Sequence, residues 1–305
     1  MMQVDITVIS FTDYEAVSKP VAHSLKADYK TADVHRFPDG ETRICVPKPG
    51  STRKQVIVIC PLYHPNQLIL PLLFLAETLR EYGAETLLLI APYLAYMRQD
   101  QQFKDGEGVS ARYFARLVSN YFDGLITVDP HLHRIKSLGE IYTIPYRVIH
   151  AAPLVADWIS RYINKPLLVG PDSESEQWVR DLSHRSGAPY IILEKTRHGD
   201  RDVDVSVPEV NKWLQHTPVL FDDIISTGRT MIETVGHLNH AGLTSPVCIG
   251  VHGLFADNAC QELLKAGAGK IVTTNSVIHS SNSIDLVPVI CSEINLFFDS
   301  VKQDR

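Results

Sequence analysis

A chain of 305 residues, 45% of them hydrophobic, is long enough to build two cores. Its 29 lysines and arginines against 35 aspartates and glutamates, a net charge of −6, leave no broad basic face for a nucleic-acid backbone. The start MMQVDITVIS lacks a basic stretch and carries Asp5, and the longest purely apolar run, Leu68 to Ala76, contains Pro71 and is too short for a bilayer. The expectation is a cytoplasmic protein with neither nucleic acid nor membrane as partner. Cys45, Cys60, Cys248, Cys260 and Cys291 are scattered without a CxxC pair; such thiols read as small hydrophobes in a reducing compartment rather than as a zinc site or a nucleophile.

Along the chain, short apolar runs alternate with helical patterns. RFPDGE (36–41) is a turn, QVIVICP a strand, and NQLILPLLFLAETLREYGA, from Asn66, a helix closing near Gly83. TLLLIAP leads into YMRQD, SARYFARLVSNYF is a helix with Ser110 as N-cap, and GLITVDP leads into DPHLH. After IPYRVIH a boundary falls at 148/149, followed by the helical AAPLVADWISRYI and the runs PLLVGPD, PYIILEK, PVLFDDI, PVCIGVH and KIVTTNS. Continuous apolar runs separated by helices predict an α/β chain whose parallel sheets are buried on both faces. Ligands in such sheets bind outside the carboxyl ends of the strands, so the polar turns there are the candidate chemistry. The closing CSEINLFFDSVKQDR is expected to be an amphipathic helix able to return to the first domain.

VLFDDIISTGRT (219–230) is the most informative stretch. Asp222 and Asp223 stand side by side where an apolar strand is expected to stop, and Ser226, Thr227, Gly228, Arg229 and Thr230 open a helix. Free N–H groups and the positive end of the helix dipole make that loop a phosphate cradle. Two carboxylates would repel the phosphate unless they face another part of the same ligand, and a sugar phosphate satisfies both: the loop takes the phosphate, the carboxylates take vicinal hydroxyls or a metal. A lone Asp-Asp pair would more often be a solvated turn; the apolar lead-in and the small-residue loop raise the specificity.

This stretch resembles the phosphoribosyl diphosphate (PRPP) binding signature shared by type I phosphoribosyltransferases and PRPP synthetases, also called ribose-phosphate pyrophosphokinases. RFPDGE, PYLAYMRQD (92–100), TVDPHLHRI (127–135), VGPDSESE (169–176), EKTR (194–197) and TTNS (273–276) follow the synthetase order over nearly the whole chain. The resemblance implies two phosphoribosyltransferase-like domains, each a mostly parallel sheet flanked by helices: residues 1–148 on the ATP side and 149–305 on the ribose 5-phosphate and PRPP side, with an active site at their interface. It implies Mg²⁺-dependent transfer of the β,γ-diphosphoryl group of ATP to the anomeric hydroxyl of ribose 5-phosphate, giving PRPP and AMP.

By the same resemblance Lys195 and Arg197 carry catalysis on a loop that closes over the transferring group, where positive charge is what phosphoryl transfer needs; taken alone, K-T-R also reads as an exposed basic loop. Arg98 and Gln99 contact the triphosphate, with Asp100 left without a role. Phe37 offers a stacking face and Asp39 and Glu41 acceptors for adenine, reaching the nucleotide of a neighbouring subunit, so that self-association to at least a homodimer is implied and a hexamer left open. His131 and Asp172 are the metal candidates. Imidazole is an uncommon Mg²⁺ ligand, His133 competes with His131, Asp172 could equally bond a ribose hydroxyl, and Glu174 and Glu176 read as helix-opening charge.

After MRQD, QQFKDGEGVS has the F-x-x-G-E-x-x-S style of archaeal synthetases, which leaves hexamer formation, phosphate activation and ADP inhibition unsupported. PDSESEQW replaces a glycine-containing loop but keeps Asp172. GAGKIV at Gly267 has the wrong spacing for a P-loop. Two other readings stand beside the synthetase: a non-catalytic synthetase-like regulatory subunit, and a PRPP-consuming phosphoribosyltransferase.

Overall fold

Backbone pairing in the computed structural model, which describes residues 6–47, 55–172, 175–197 and 203–303, divides the chain into two units: Met1–Ile149 with Leu286–Arg305, and His150–Asp285. Each is built on its own sheet.

The first unit begins with β1 (Ile6–Phe11), α1 (Glu15–Leu25) and a hairpin of β2 (Asp28–Arg36) and β3 (Thr42–Cys45). Then come β4 (Gln55–Ile59), α2 (Pro65–Glu81), β5 (Thr86–Ala91), α3 (Ser110–Tyr121), β6 (Gly124–Val128) and β7 (Tyr146–Ile149). The sheet order is β3-β2-β1-β4-β5-β6-β7. Every pair is parallel except β2 with β3. The runs in β4, β5 and β6 are apolar throughout because both faces are covered: Val56 to Ile59, Leu87 to Leu89, Leu125 and Ile126 are fully buried.

The second unit runs α4 (Ala152–Tyr162), β8 (Pro166–Gly170), α5 (Glu176–Ser186), β9 (Tyr190–Ile192), a ribbon of β10 (Glu194–Arg197) and β11 (Val203–Ser206), and the single turn α6 (Val210–Trp213). It continues with β12 (Thr217–Ile225), α7 (Arg229–His240), β13 (Val247–Gly253), α8 (Ala259–Lys265), β14 (Lys270–Thr274) and β15 (Asn282–Ile284). Its sheet, β15-β14-β13-β12-β8-β9, is parallel throughout. Leu167, Val169 and Leu220 from the strands pack with Val235 and Leu238 of α7 in its core.

The last helix, α9 (Val287–Gln303), belongs to the first unit. Arg147 of β7 pairs with Glu293 at 3.1 Å and donates to the carbonyl of Leu296. Phe297 is 2% exposed, and its ring occupies the space that a Cβ on Gly124 would need. Phe297→Ala removes a large buried ring from a close-packed contact and is expected to lower the unfolding free energy by about 3–5 kcal/mol, read as a fall in the denaturant midpoint with an unchanged slope.

Three local expectations change. The helix expected to be capped by Ser110 has Val109 at its cap position, with Ser110 inside the first turn and no side-chain cap; the N–H of Ala111 instead donates to the carbonyl of Gln99 at 3.2 Å, so backbone from the preceding turn satisfies it. The strand expected to stop at Asp222 continues through Ile225, in register with Gly253. EKTR, expected on a loop, is strand β10, paired antiparallel with β11.

Candidate active site

In the first unit three candidate turns follow the carboxyl ends of β2, β5 and β6. The β2–β3 turn is closed by Phe37 N–H to Glu41 O at 2.8 Å and by Gly40 N–H to Phe37 O at 2.9 Å. Gly40 has φ +94°, a conformation that favours glycine. Asp39 Oδ1 accepts the N–H of Glu41 at 3.1 Å, so one of its oxygens serves the turn. Phe37 is 40% exposed with His35 edge-on at 4.7 Å, which leaves an aromatic face open for stacking.

After β5 the chain turns at Tyr96, φ +65°, and Gln99 N–H donates to its carbonyl. Arg98 is exposed, as a phosphate-binding guanidinium has to be. The Gln99 amide donates to Gln101 O at 3.3 Å and Glu107 Oε2 at 3.4 Å. The same Glu107 oxygen accepts the backbone N–H groups of Phe103 and Lys104, both at 3.1 Å, which explains the G-E spacing of that segment as a turn built around one carboxylate. After β6, Asp129 takes φ +31° and its N–H donates to Ile149 O. The rings of His131 and His133 then lie 4.3 Å apart, His131 half-buried and His133 exposed.

Because β5 and β6 are neighbours, the structure brings Arg98, Gln99 and His131 to one end of adjacent strands. It does not bring Phe37, Asp39 and Glu41 there. β2 is three positions from β5 in the order β2-β1-β4-β5, roughly 14 Å at the usual strand spacing.

In the second unit, β8, β9 and β12 are parallel, so Asp172, the β9–β10 segment and the loop after β12 share one end of the sheet. Asp172 Oδ1 accepts the N–H of Ser175 at 3.2 Å and its carbonyl accepts the Ser175 hydroxyl at 2.6 Å, which ties Asp172 to the residue at the cap position of α5. Glu176 opens that helix and pairs with Arg180, as helix-opening charge should; Glu174 lies outside the described residues. Lys195 pairs with Val205 and Arg197 with Val203 in backbone register, and the ribbon they form is a sheet of its own.

Asp222 and Asp223 lie inside β12, with Asp222 opposite Gly250. The surrounding protein, then the charge of Asp223 and a hydrogen bond between the two carboxyls, push the Asp222 carboxyl up to about 7. The side chain keeps an exposed face, so solvent screens part of that repulsion. Beyond Ile225, Ser226 is half-buried and Thr227 exposed, and Gly228, φ +66°, occupies the cap position of α7 with no side-chain cap. Ser226 O accepts the N–H of Ala256 at 3.1 Å, which ties the loop to the end of β13. Arg229 and Thr230 are exposed in the first turn. The arrangement is a helix N-terminus with an uncapped, glycine-set entrance beside two adjacent carboxyls, donors suited to an anion and acceptors suited to hydroxyl groups.

The family model for the N-terminal domain of ribose phosphate pyrophosphokinase matches residues 6–121, and that for the phosphoribosyl transferase domain matches residues 137–286. The ribose-phosphate pyrophosphokinase of Sulfurisphaera tokodaii is 31% identical, over 87% of this chain and 89% of its own length. The chain belongs to the ribose-phosphate pyrophosphokinase family. The enzyme of that name from Methanopyrus kandleri is likewise 31% identical, over 94% of this chain and 98% of its own. The crystal structure of phosphoribosylpyrophosphate synthetase from Mycobacterium smegmatis shares the fold, with a TM-score of 0.80 at 24% identity over 97% of this chain and 99% of that one.

For a ribose-phosphate pyrophosphokinase, sequence reasoning passes over three residues that shape these turns. Glu107 and Asp100 act through hydrogen bonds to distant or backbone partners that a linear pattern hides. Gly250 is the third: a Cβ there would stand 2.7 Å from the Ile225 side chain, so glycine opposite Asp222 keeps room for the residue that leads into the loop. Its signal, an isolated glycine within the strand run PVCIGVH, was present but silent about its partner. Among the described residues no helix is long and apolar enough to cross a membrane.

Proposed function

We infer that this chain is a catalytic ribose-phosphate diphosphokinase, transferring the β,γ-diphosphoryl group of ATP to the anomeric hydroxyl of ribose 5-phosphate to give PRPP and AMP. The single observation carrying the site assignment is the adjacent pair Asp222–Asp223 in β12 leading into an uncapped helix N-terminus at Gly228, on a chain whose family relatives are named for this activity.

In this reading the N–H groups at Arg229 and Thr230, with the hydroxyls of Ser226, Thr227 and Thr230, bind the 5-phosphate. Asp222 and Asp223 accept from the ribose hydroxyls and orient the ring so that its anomeric oxygen meets the β-phosphorus in line. Arg98 binds the triphosphate through its planar fork and Gln99 supports it. Lys195 and Arg197 stabilise the charge on the transferring oxygens. As the bond from the anomeric oxygen to the β-phosphorus forms, the anomeric hydroxyl releases its proton to solvent, the bond from the β-phosphorus to the α-phosphate oxygen breaks, and AMP leaves.

Adjacent carboxylates suit an oxygen-seeking cation such as Mg²⁺, although among the described residues no three His, Cys, Asp or Glu side chains gather as a metal site. A divalent cation held beside Asp222 and Asp223 would favour their charged forms against the burial and repulsion that raise Asp222. His131 and Asp172 are the protein groups assigned to that role by resemblance, with Asp172 Oδ1 also accepting the N–H of Ser175. When bound, Mg²⁺ neutralises phosphate charge and fixes the oxygens in place.

Phe37, Asp39 and Glu41 lie three strand positions from the strand that leads to Arg98, and by resemblance this turn binds the adenine of a second copy, in a protein that works as at least a homodimer. The oligomer number beyond that, and a cytoplasmic location, stay part of the proposal.

The test supplies ATP, ribose 5-phosphate and Mg²⁺ with no PRPP. Equimolar AMP and PRPP are expected. A regulatory subunit would give neither, and a phosphoribosyltransferase would turn over only when PRPP and an acceptor base are added.

A further inference from the structure

We propose that Asp100 is a positioning residue that fixes the turn carrying Arg98 and Gln99 against the turn carrying His131. The proposal rests on the reading of these turns as the nucleotide side. Asp100 directly follows Gln99, and its side chain is 3% exposed. Its two oxygens grip one residue at two points: Oδ2 accepts the backbone N–H of Arg134 and Oδ1 accepts Nη1–H, each at 3.1 Å. Arg134 stands three residues after His131, so holding its backbone holds the His131–His133 turn.

A third piece joins them. The Arg134 guanidinium lies 5.3 Å from the centre of the Phe103 ring, in the segment whose turn closes on Glu107. Asp100 therefore links the ends of β5 and β6 with the loop between Gln101 and Glu107, 34 residues of chain separating it from its partner. Burying a carboxylate is costly unless it is paired and hydrogen-bonded, and such a pair contributes little net stability over an apolar substitute. What it supplies is a fixed geometry, and for groups that must converge on a triphosphate a displacement of about 1 Å costs on the order of 100-fold in rate.

The test compares the wild type with Asp100→Asn, Arg134→Gln and the double variant, reading the Kd of Mg²⁺-ATP by calorimetry, both KM values and thermal melting. The expected result is a rise of about tenfold in ATP Kd and KM for each single variant. KM for ribose 5-phosphate should stay within about twofold, and the double variant should be no worse than the worse single one, because the two groups act as a unit. Equal shifts in both KM values, additive losses, or a lowered melting temperature with unchanged ATP affinity would overturn the proposal. Should Asp100→Asn not fold, Arg134→Gln at a half-exposed guanidinium decides it: unchanged ATP affinity there also refutes the role. A wild type that binds ATP yet forms no PRPP defeats the proposed reaction while the Kd comparison still judges Asp100; a wild type that binds no ATP defeats both.

Discussion

Lys195→Ala is expected to lower kcat by about three orders of magnitude with both KM values changed less than about fivefold. Phosphoryl-type transfer leaves the protein little covalent work, and a cation placed on the transferring oxygens is worth roughly 10³–10⁵ in rate. An interaction realised only in the transition state lowers kcat and leaves ground-state affinity alone. The backbone context suits the role: residue 195 lies on a two-stranded ribbon separate from the six-stranded sheet, and an isolated pair of strands is marginal enough in stability to move as a unit. Lys195→Arg keeps the charge but changes the reach, and should recover part of the rate. Steady-state kinetics with both substrates varied decides the matter. A loss confined to KM would place Lys195 in substrate binding instead.

Asp222→Asn is expected to raise KM for ribose 5-phosphate by about 10- to 30-fold at pH 8, the cost of weakening a hydrogen bond to a charged group, and to remove most of the pH dependence of that KM. In the wild type the Asp222 carboxyl is pushed up to about 7 by the surrounding protein and by Asp223. Below that pH it carries a proton and loses an acceptor, so affinity for the sugar phosphate strengthens as pH rises through about 7. The stability consequence has the opposite sign. A carboxyl whose folded pKa exceeds its unfolded value holds an extra proton only when folded; its contribution to stability is complete below the unfolded value of 3.8 and is lost as pH rises through about 7. Without ligand, Asp222→Asn should therefore melt at a higher temperature than the wild type at pH 8, by a few degrees at most given solvent screening, and the gap should close toward pH 5. A gap that is constant with pH would mean that Asp222 titrates as an ordinary surface carboxyl.

Most of the eight strands recognised in the sequence are buried on both faces, where burial leaves an uninterrupted apolar run such as Leu87 to Ile90; the edge strand β9 is only partly buried. The hairpin β2–β3 shows in the sequence only as a turn because its strands are almost entirely exposed or half-buried and carry no apolar run. The ribbon β10–β11 is charged, and β15 has only three residues. β1 is fully buried, but it sits at the very start of the chain, where the same residues are first weighed as a targeting signal. The two aspartates were placed at the end of their strand because charge usually stops an apolar run. In the fold β12 continues, since Ile224 and Ile225 still pair with His252 and Gly253.

The candidate site was legible where chemistry and spacing coincide along the chain, as in the Asp222 to Thr230 stretch. It was illegible where it depends on distance in space. Nothing in MRQD announces that Asp100 holds Arg134, and nothing in RFPDGE reveals that its strand lies three places from the one bearing Arg98. Sheet order, not local pattern, separates the adenine turn from the triphosphate turn.

The central claim is that two phosphoryl groups leave ATP together. The most direct measurement is the fate of label when the enzyme is given ribose 5-phosphate, Mg²⁺ and ATP labelled at the β-phosphorus, with the products separated and counted. All transferred label should appear in PRPP, with AMP unlabelled and equimolar. Label retained in ADP, with a sugar 1,5-bisphosphate as the other product, would show transfer of the γ-phosphoryl group alone and contradict the account.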